Sequence, residues 1–219
     1  MTTTLDITER LTSEATGLDP ELWLPLLRLL AKGQPVELSA LVAASGKTTR
    51  DVIRSLAAVP DTEYDDEGRI VGQGLTLNPT PHHFLIDGTP LYTWCALDTL
   101  IFPAVLGASA VIESSCHTTG VPVRLTVDAT GVSSAEPATA VVSLLSPDDM
   151  SSVRSAFCNQ VHFFASAEAA APWLAAHPGG TVVSADEAYQ LGTTMAHTIL
   201  QKTISDDQSD ASPAAASCC

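Results

Sequence analysis

The segment from Leu91 to Ile112 (LYTWCALDTLIFPAVLGASAVI) carries a single charged residue, Asp98, and is long enough to cross a bilayer. Any fold for this chain must bury that run. A mid-span Asp costs roughly 2.5–3.5 kcal/mol on membrane-insertion scales, and Pro103 followed by Gly107 is the punctuation of a helix that stops before a strand begins. The run therefore predicts an apolar helix over Pro90–Phe102 in a protein without a membrane span. Its carboxyl group would sit where water is scarce.

The chain has 219 residues, 45% of them apolar, enough for one medium domain or two small ones with a sizeable core. A formal charge of −15 disfavours nucleic acid and anionic lipid as partners, since both attract basic patches. Met1 to Asp6 (MTTTLD) shows neither a basic region nor an apolar run, so no signal peptide and a cytoplasmic location are expected. Five cysteines, an odd number over this length, fit reduced thiols better than a disulfide framework.

Residues 1–80 read as a winged-helix-like domain. Helices are predicted over Glu21–Lys32, Val36–Ala44 and Thr48–Ala58, the last capped by Thr48 or Thr49. A hairpin follows, turning at Glu67-Gly68. Lys47, Arg50 and Arg54 lie at or in the third helix, as a DNA reader would require, but Asp61, Glu63, Asp65, Asp66 and Glu67 crowd the wing with the wrong sign for phosphate. The domain is read as a lid or packing partner.

Residues 81–204 change character. Strands are expected over His82–Ile86, Ala110–Ser115, Val121–Val127, Ala140–Leu145 and Val161–Ala165, and helices over Pro147–Ala156, Ala167–Ala176 and Ala185–Gln201. With no long βαβ repeat, the class is α+β. Residues 205–219 are polar and small, a flexible tail ending in Cys218-Cys219.

In a helix over Pro90–Phe102, Cys95 and Asp98 are three residues apart and share a face. Burial raises an Asp pKa, so Asp98 suits a proton relay beside a thiol. Cys158, in Phe157-Cys-Asn-Gln-Val-His-Phe-Phe, is the other thiol in an apolar setting; each cysteine alone also fits a small core residue. Together the three would form two soft ligands and one proton carrier. No Cys-x-x-Cys pair starts a zinc site, and papain-like catalysis needs a histidine rather than a second thiol. Two thiolates suit a soft, two-coordinate metal such as mercury or copper(I). Cys116-His117 does not read as a metal pair, and His82, His83, His162, His177 and His197 lack ligand spacing.

Leu91-Tyr-Thr-Trp-Cys-Ala-Leu-Asp-Thr-Leu-Ile-Phe-Pro resembles the active-site helix of the organomercurial (alkylmercury) lyases. The segment Phe157-Cys-Asn-Gln-Val-His-Phe-Phe-Ala-Ser resembles the one bearing their second active-site cysteine. The likeness runs from the N-terminal helices through Thr62-Glu-Tyr-Asp and Gly74-Leu-Thr-Leu to about residue 200. It implies a helical, winged-helix-like N-terminal region and a core of small antiparallel sheets packed with helices. It also implies protonolysis of carbon–mercury bonds in mercury detoxification, with Cys95 and Cys158 binding mercury, Asp98 handling the proton and no organic cofactor.

Where some lyases carry a further cysteine after the second catalytic one, this chain has Asn159, so that position is not expected to be essential. Cys116 matches a further family cysteine and is read as structural. Cys218-Cys219 resembles the C-terminal vicinal cysteines of mercuric reductases: either a relay passing mercuric ion to a reductase, or an exposed pair without function. Two rival readings stand beside this one: a copper(I) or mercury chaperone or sensor using the same two thiols without turnover, and a winged-helix repressor, against which the acidic wing speaks.

Overall fold

The computed structural model describes residues 16–146 and 152–206, with side chains through residue 200. Helix α1 (Pro20–Leu30) starts where Asp19 accepts the Glu21 N–H and Pro20 fills the first turn, whose N–H groups lack helical partners. Helix α2 (Leu38–Ser45) ends at Gly46 in the left-handed region, and α3 (Thr49–Ala57) is capped by the Thr48 hydroxyl. Strands β1 (Glu63–Tyr64) and β2 (Ile70–Gln73) form the hairpin; its turn is held by Asp65, which accepts from the Glu67 and Arg69 N–H groups. Val36, expected inside the second helix, instead bridges Ile70 and ties the helices to the hairpin.

The hairpin does not stand apart. A two-residue strand, β3 (Leu75–Thr76), joins β2 to β5 (Thr89–Thr93), and the sheet continues through β4 (His82–Ile86), β6 (Ala110–Ser115), β7 (Pro122–Asp128) and β8 (Gly131–Glu136). All eight strands are antiparallel, in the order β1-β2-β3-β5-β4-β6-β7-β8. Burial alternates along β4 and β6, so Phe84, Ile86, Ala110 and Ile112 face inward while His83, Leu85, Val111 and Glu113 face out.

Helix α4 (Ala96–Leu106) covers the inner face and is itself covered by α7 (Ala185–Asp206). Leu97, Leu100 and Phe102 are at most 1% exposed, and full burial of one such side chain stabilises by about 1.5–3 kcal/mol. Gly192 permits this approach, because a Cβ there would collide with Ile101. The apolar run thus resolves into strand, helix and strand, and among the described residues no helix is long and apolar enough to cross a membrane.

The expected helix over Pro90–Phe102 is corrected. Residues 89–93 pair with β4 and β3, and the helix begins only at Ala96. A short sheet closes the molecule: β9 (Val141–Leu144) lies between β10 (Phe163–Phe164) and β11 (Thr181–Ser184), with α6 (Ala167–Ala176) against it. Between β9 and β10 come a one-turn helix, α5 (Val153–Ala156), and a 3₁₀ turn, Cys158–Gln160. The start of the helix expected over Pro147–Ala156, and the tail with Cys218 and Cys219, lie outside the described residues.

Candidate active site

Cys95 occupies the break between β5 and α4. Its extended backbone (φ −146°, ψ 171°) makes it the N-cap of the helix, and Asp98 is the third residue of the first turn. The Asp98 carboxylate accepts the Cys95 N–H at 3.2 Å while the Cys95 thiol faces the Asp98 N–H, a capping box with sulfur in place of the usual hydroxyl. Proximity of the two residues thus comes from this reciprocal cap, not from a shared helical face. The strand side holds Cys95 as well: the Thr93 hydroxyl donates to the Cys95 carbonyl at 2.9 Å, and the Ala96 N–H donates to Val161 O at 3.2 Å.

Cys158 arrives from the 3₁₀ turn. Its sulfur, the Cys95 sulfur and an Asp98 oxygen all lie within 4.8 Å of one another, the one convergence of three such groups among the described residues. Cys95 is 0% and Cys158 5% exposed, and both are free thiols.

Burial sets the protonation of this trio. It pushes the Asp98 carboxyl up to about 6, although hydrogen bonds from the Cys95 thiol and N–H and the Arg154 charge pull it down. The Cys95 thiol is pushed well up by burial, by donating to Cys158 and by the Asp98 charge. For Cys158 the hydrogen bond from Cys95 acts downward, but burial and the charges of Asp98 and Asp61 prevail and its pKa is raised. The Cys95 proton therefore stands between two acceptors, the Cys158 sulfur and the Asp98 carboxylate.

A narrow cleft of about 50 Å³ leads to Asp98 and Cys158, between Leu18, Trp23, Val59, Trp94 and Phe102. Gly74, at φ +85°, forms part of its wall, and a Cβ there would stand 2.9 Å from the Phe102 ring. At the rim the Arg154 guanidinium lies 5.0 Å over the Trp94 ring and pairs with Glu63, which also accepts from the Thr76 hydroxyl. Asp61 accepts from the Ser152 hydroxyl and the Arg154 N–H. Sequence reasoning counted Asp61 and Glu63 only as charges unfit for phosphate and gave Arg154 no role. Nothing in their spacing signals that the wing reaches across to residues 152–154.

The other candidates stay outside this site. Cys116 is buried where β6 ends, its N–H donating to Val121 O at 2.7 Å and its sulfur 3.6 Å from the Thr118 hydroxyl. His117 stacks on His162 with ring centroids 3.8 Å apart, and His82 is buried against the Ser114 hydroxyl. Asn159 is exposed.

Known proteins resemble this chain along nearly its whole length. A family model described as alkylmercury lyase matches residues 75–197, and a second, described as the helix-turn-helix domain of alkylmercury lyase, matches residues 4–74. The alkylmercury lyase of Streptomyces lividans is 58% identical over 83% of this chain and 84% of its own length. That of Pseudomonas putida is 47% identical over 86% and 91%. Among solved structures, one titled as the mercury-bound form of MerB2 superposes with a TM-score of 0.72 at 27% identity, covering 90% of this chain and all of that one.

Proposed function

This chain belongs to the alkylmercury lyase family and cleaves carbon–mercury bonds, and we propose that Cys95 and Cys158 take the metal while Asp98 delivers the proton. The observation that carries this division of roles is the trio itself, two buried soft sulfurs and one half-buried carboxylate within 4.8 Å. A carbon–mercury bond resists water because the organic group is a very poor carbanion leaving group. Ligation by thiolates pushes electron density through mercury onto carbon, and a proton supplied to that carbon completes the departure.

The hydrogen bonds order the steps. Cys158, the acceptor of the Cys95 thiol, captures the organomercury cation and gives up its own proton to solvent as the sulfur–mercury bond forms. The Cys95 proton passes to the Asp98 carboxylate, and the new thiolate becomes the second sulfur on mercury. Asp98 then gives that proton to carbon, the hydrocarbon leaves, and mercuric ion stays between two sulfurs with Asp98 ionised again. The charge count closes: the Cys158 proton goes to solvent on capture, and the Cys95 proton ends on the hydrocarbon. The same Asp98 argues against a chaperone or sensor, because a carboxylate largely withdrawn from water adds nothing to storage.

The three side chains need no organic cofactor, and external thiols remove the product by exchange. We place the reaction in the cytoplasm, where thiols stay reduced, with mercuric reductase as recipient and neither nucleic acid nor membrane as partner. Cys218-Cys219 would serve as the tether that hands mercuric ion on; truncation after Ser217 should slow transfer to a reductase without slowing benzene release. The decisive assay incubates the protein with phenylmercury and excess thiol. Asp98→Ala should keep mercurial binding and lose benzene release, and unimpaired release would sink the relay.

A further inference from the structure

Cys158 is moored unequally on its two sides. Downstream, the 3₁₀ turn is tied to the core: the Ser143 hydroxyl donates to Gln160 O at 2.8 Å and accepts the His162 N–H at 2.9 Å, and Val161 O holds the Ala96 N–H. Upstream, among the described residues, come Phe157, packed into the core, and then α5, a single turn of four residues. One turn fixes several backbone dihedrals for very few hydrogen bonds, so such a helix does not hold itself.

Its first turn is held from outside. Asp61, just before β1, accepts the Ser152 hydroxyl at 2.8 Å through one carboxylate oxygen and the Arg154 N–H at 3.0 Å through the other. Glu63, two residues on, takes the Arg154 guanidinium, and Gly72 leaves the space that Glu63 occupies, since a Cβ there would overlap its carboxylate. We propose that Asp61 is a positioning residue for carbon–mercury cleavage: it clasps the start of α5 and thereby sets where the Cys158 sulfur stands relative to Cys95 and Asp98. The acidic wing of the helix-turn-helix region is, on this view, a working part of the site. The inference rests on Cys158 being a mercury ligand.

A shift of about 1 Å in a reacting group can cost on the order of 100-fold in rate. Asp61→Ala should therefore lower kcat for phenylmercury cleavage by about 10- to 100-fold, change KM much less, and release mercuric ion faster to a competing dithiol. Asp61→Asn, which keeps an oxygen for the Arg154 N–H, should recover most of kcat. Ser152→Ala, which removes one of the two contacts, should fall between. If Asp61→Ala melts at a lower temperature but retains wild-type kcat per folded molecule, Asp61 is merely structural and the proposal fails. If Asp61→Ala does not fold, Asp61→Asn and Ser152→Ala decide, and wild-type kcat and mercury retention in both would overturn it. Cys158→Ser is measured alongside: its failure to lose mercury retention refutes the ligand assignment, whereas its loss beside an unaffected Asp61→Ala refutes only the clasp.

Discussion

Replacing Asp98 by Asn should make this protein more stable and inactive at once. Burial pushes the carboxyl from 3.8 up to about 6, so its ionised form is disfavoured in the native state by roughly two pH units, or about 3 kcal/mol at 1.36 kcal/mol per unit. Because the native pKa lies above the unfolded one, the unfolded chain gives up this proton first. Stability is undiminished well below pH 3.8, falls as pH rises through about 6, and bears the full cost beyond it. An amide never ionises and so escapes that cost, while its oxygen can still accept the Cys95 N–H. The attraction of Arg154 is already contained in that net shift; allowing about 1–2 kcal/mol for a weaker cap, the net gain at pH 8 is about 1–2 kcal/mol, which lifts Tm by roughly 2–8 °C in a chain of this size. At pH 5 the ionisation cost is about half as large, and the gain should largely vanish. Thermal melts followed by circular dichroism at pH 5 and pH 8, beside benzene release from phenylmercury, test this. A variant less stable than wild type at pH 8, or one whose Tm change is the same at both pH values, would refute the reasoning.

Three other outcomes follow from the same geometry. In a chain truncated after Ser217, Cys95→Ser should still take up phenylmercury on Cys158, located by peptide mass mapping, while releasing no benzene, whereas Cys158→Ser should slow uptake itself; the opposite pattern reverses the order of the thiols. Arg154→Gln removes a charge that lowers both Asp98 and Cys158, so the rising limb of kcat/KM against pH should move to higher pH, and an unmoved profile would dismiss its electrostatic role. Gly74→Ala forces a side chain into positive φ and against Phe102, which should cost about 1–3 kcal/mol in denaturant unfolding and narrow the cleft, raising KM more for phenylmercury than for methylmercury.

How much of this was legible in the sequence depended on how local the cause was. Thr48 marks the start of its helix within a residue, and the structure follows it closely. The run after Pro90 misled because period cannot separate strand from helix when nearly everything is buried. Leu91 and Thr93 face the core from a strand too short for its alternation to stand out, and it runs straight into α4, which is buried on almost all sides. The true boundary was written in Asp98 as the third helical residue, but its partner at the cap is a cysteine, which the usual Ser/Thr pattern overlooks. β8 was invisible for the opposite reason: Gly131–Glu136 is a polar edge strand with little to bury. Cys158 lies far from Cys95 in sequence, and only tertiary packing brings it near; the motif resemblance, not spacing, pointed to it.

The break between β5 and α4 sets what it would take to transplant this chemistry. Cys95 belongs to neither element, since Thr93 of the strand grips its carbonyl and Asp98 of the helix grips its amide. A grafted helix would bring the acid and leave the thiol unaimed; a grafted strand would do the reverse. The smallest portable unit is the whole strand-to-helix elbow, and its host must offer a carbonyl where Val161 stands and a second thiol on the turn just before it. A three-residue site is thus tied to an entire domain, and no short peptide bearing the same residues would reproduce it.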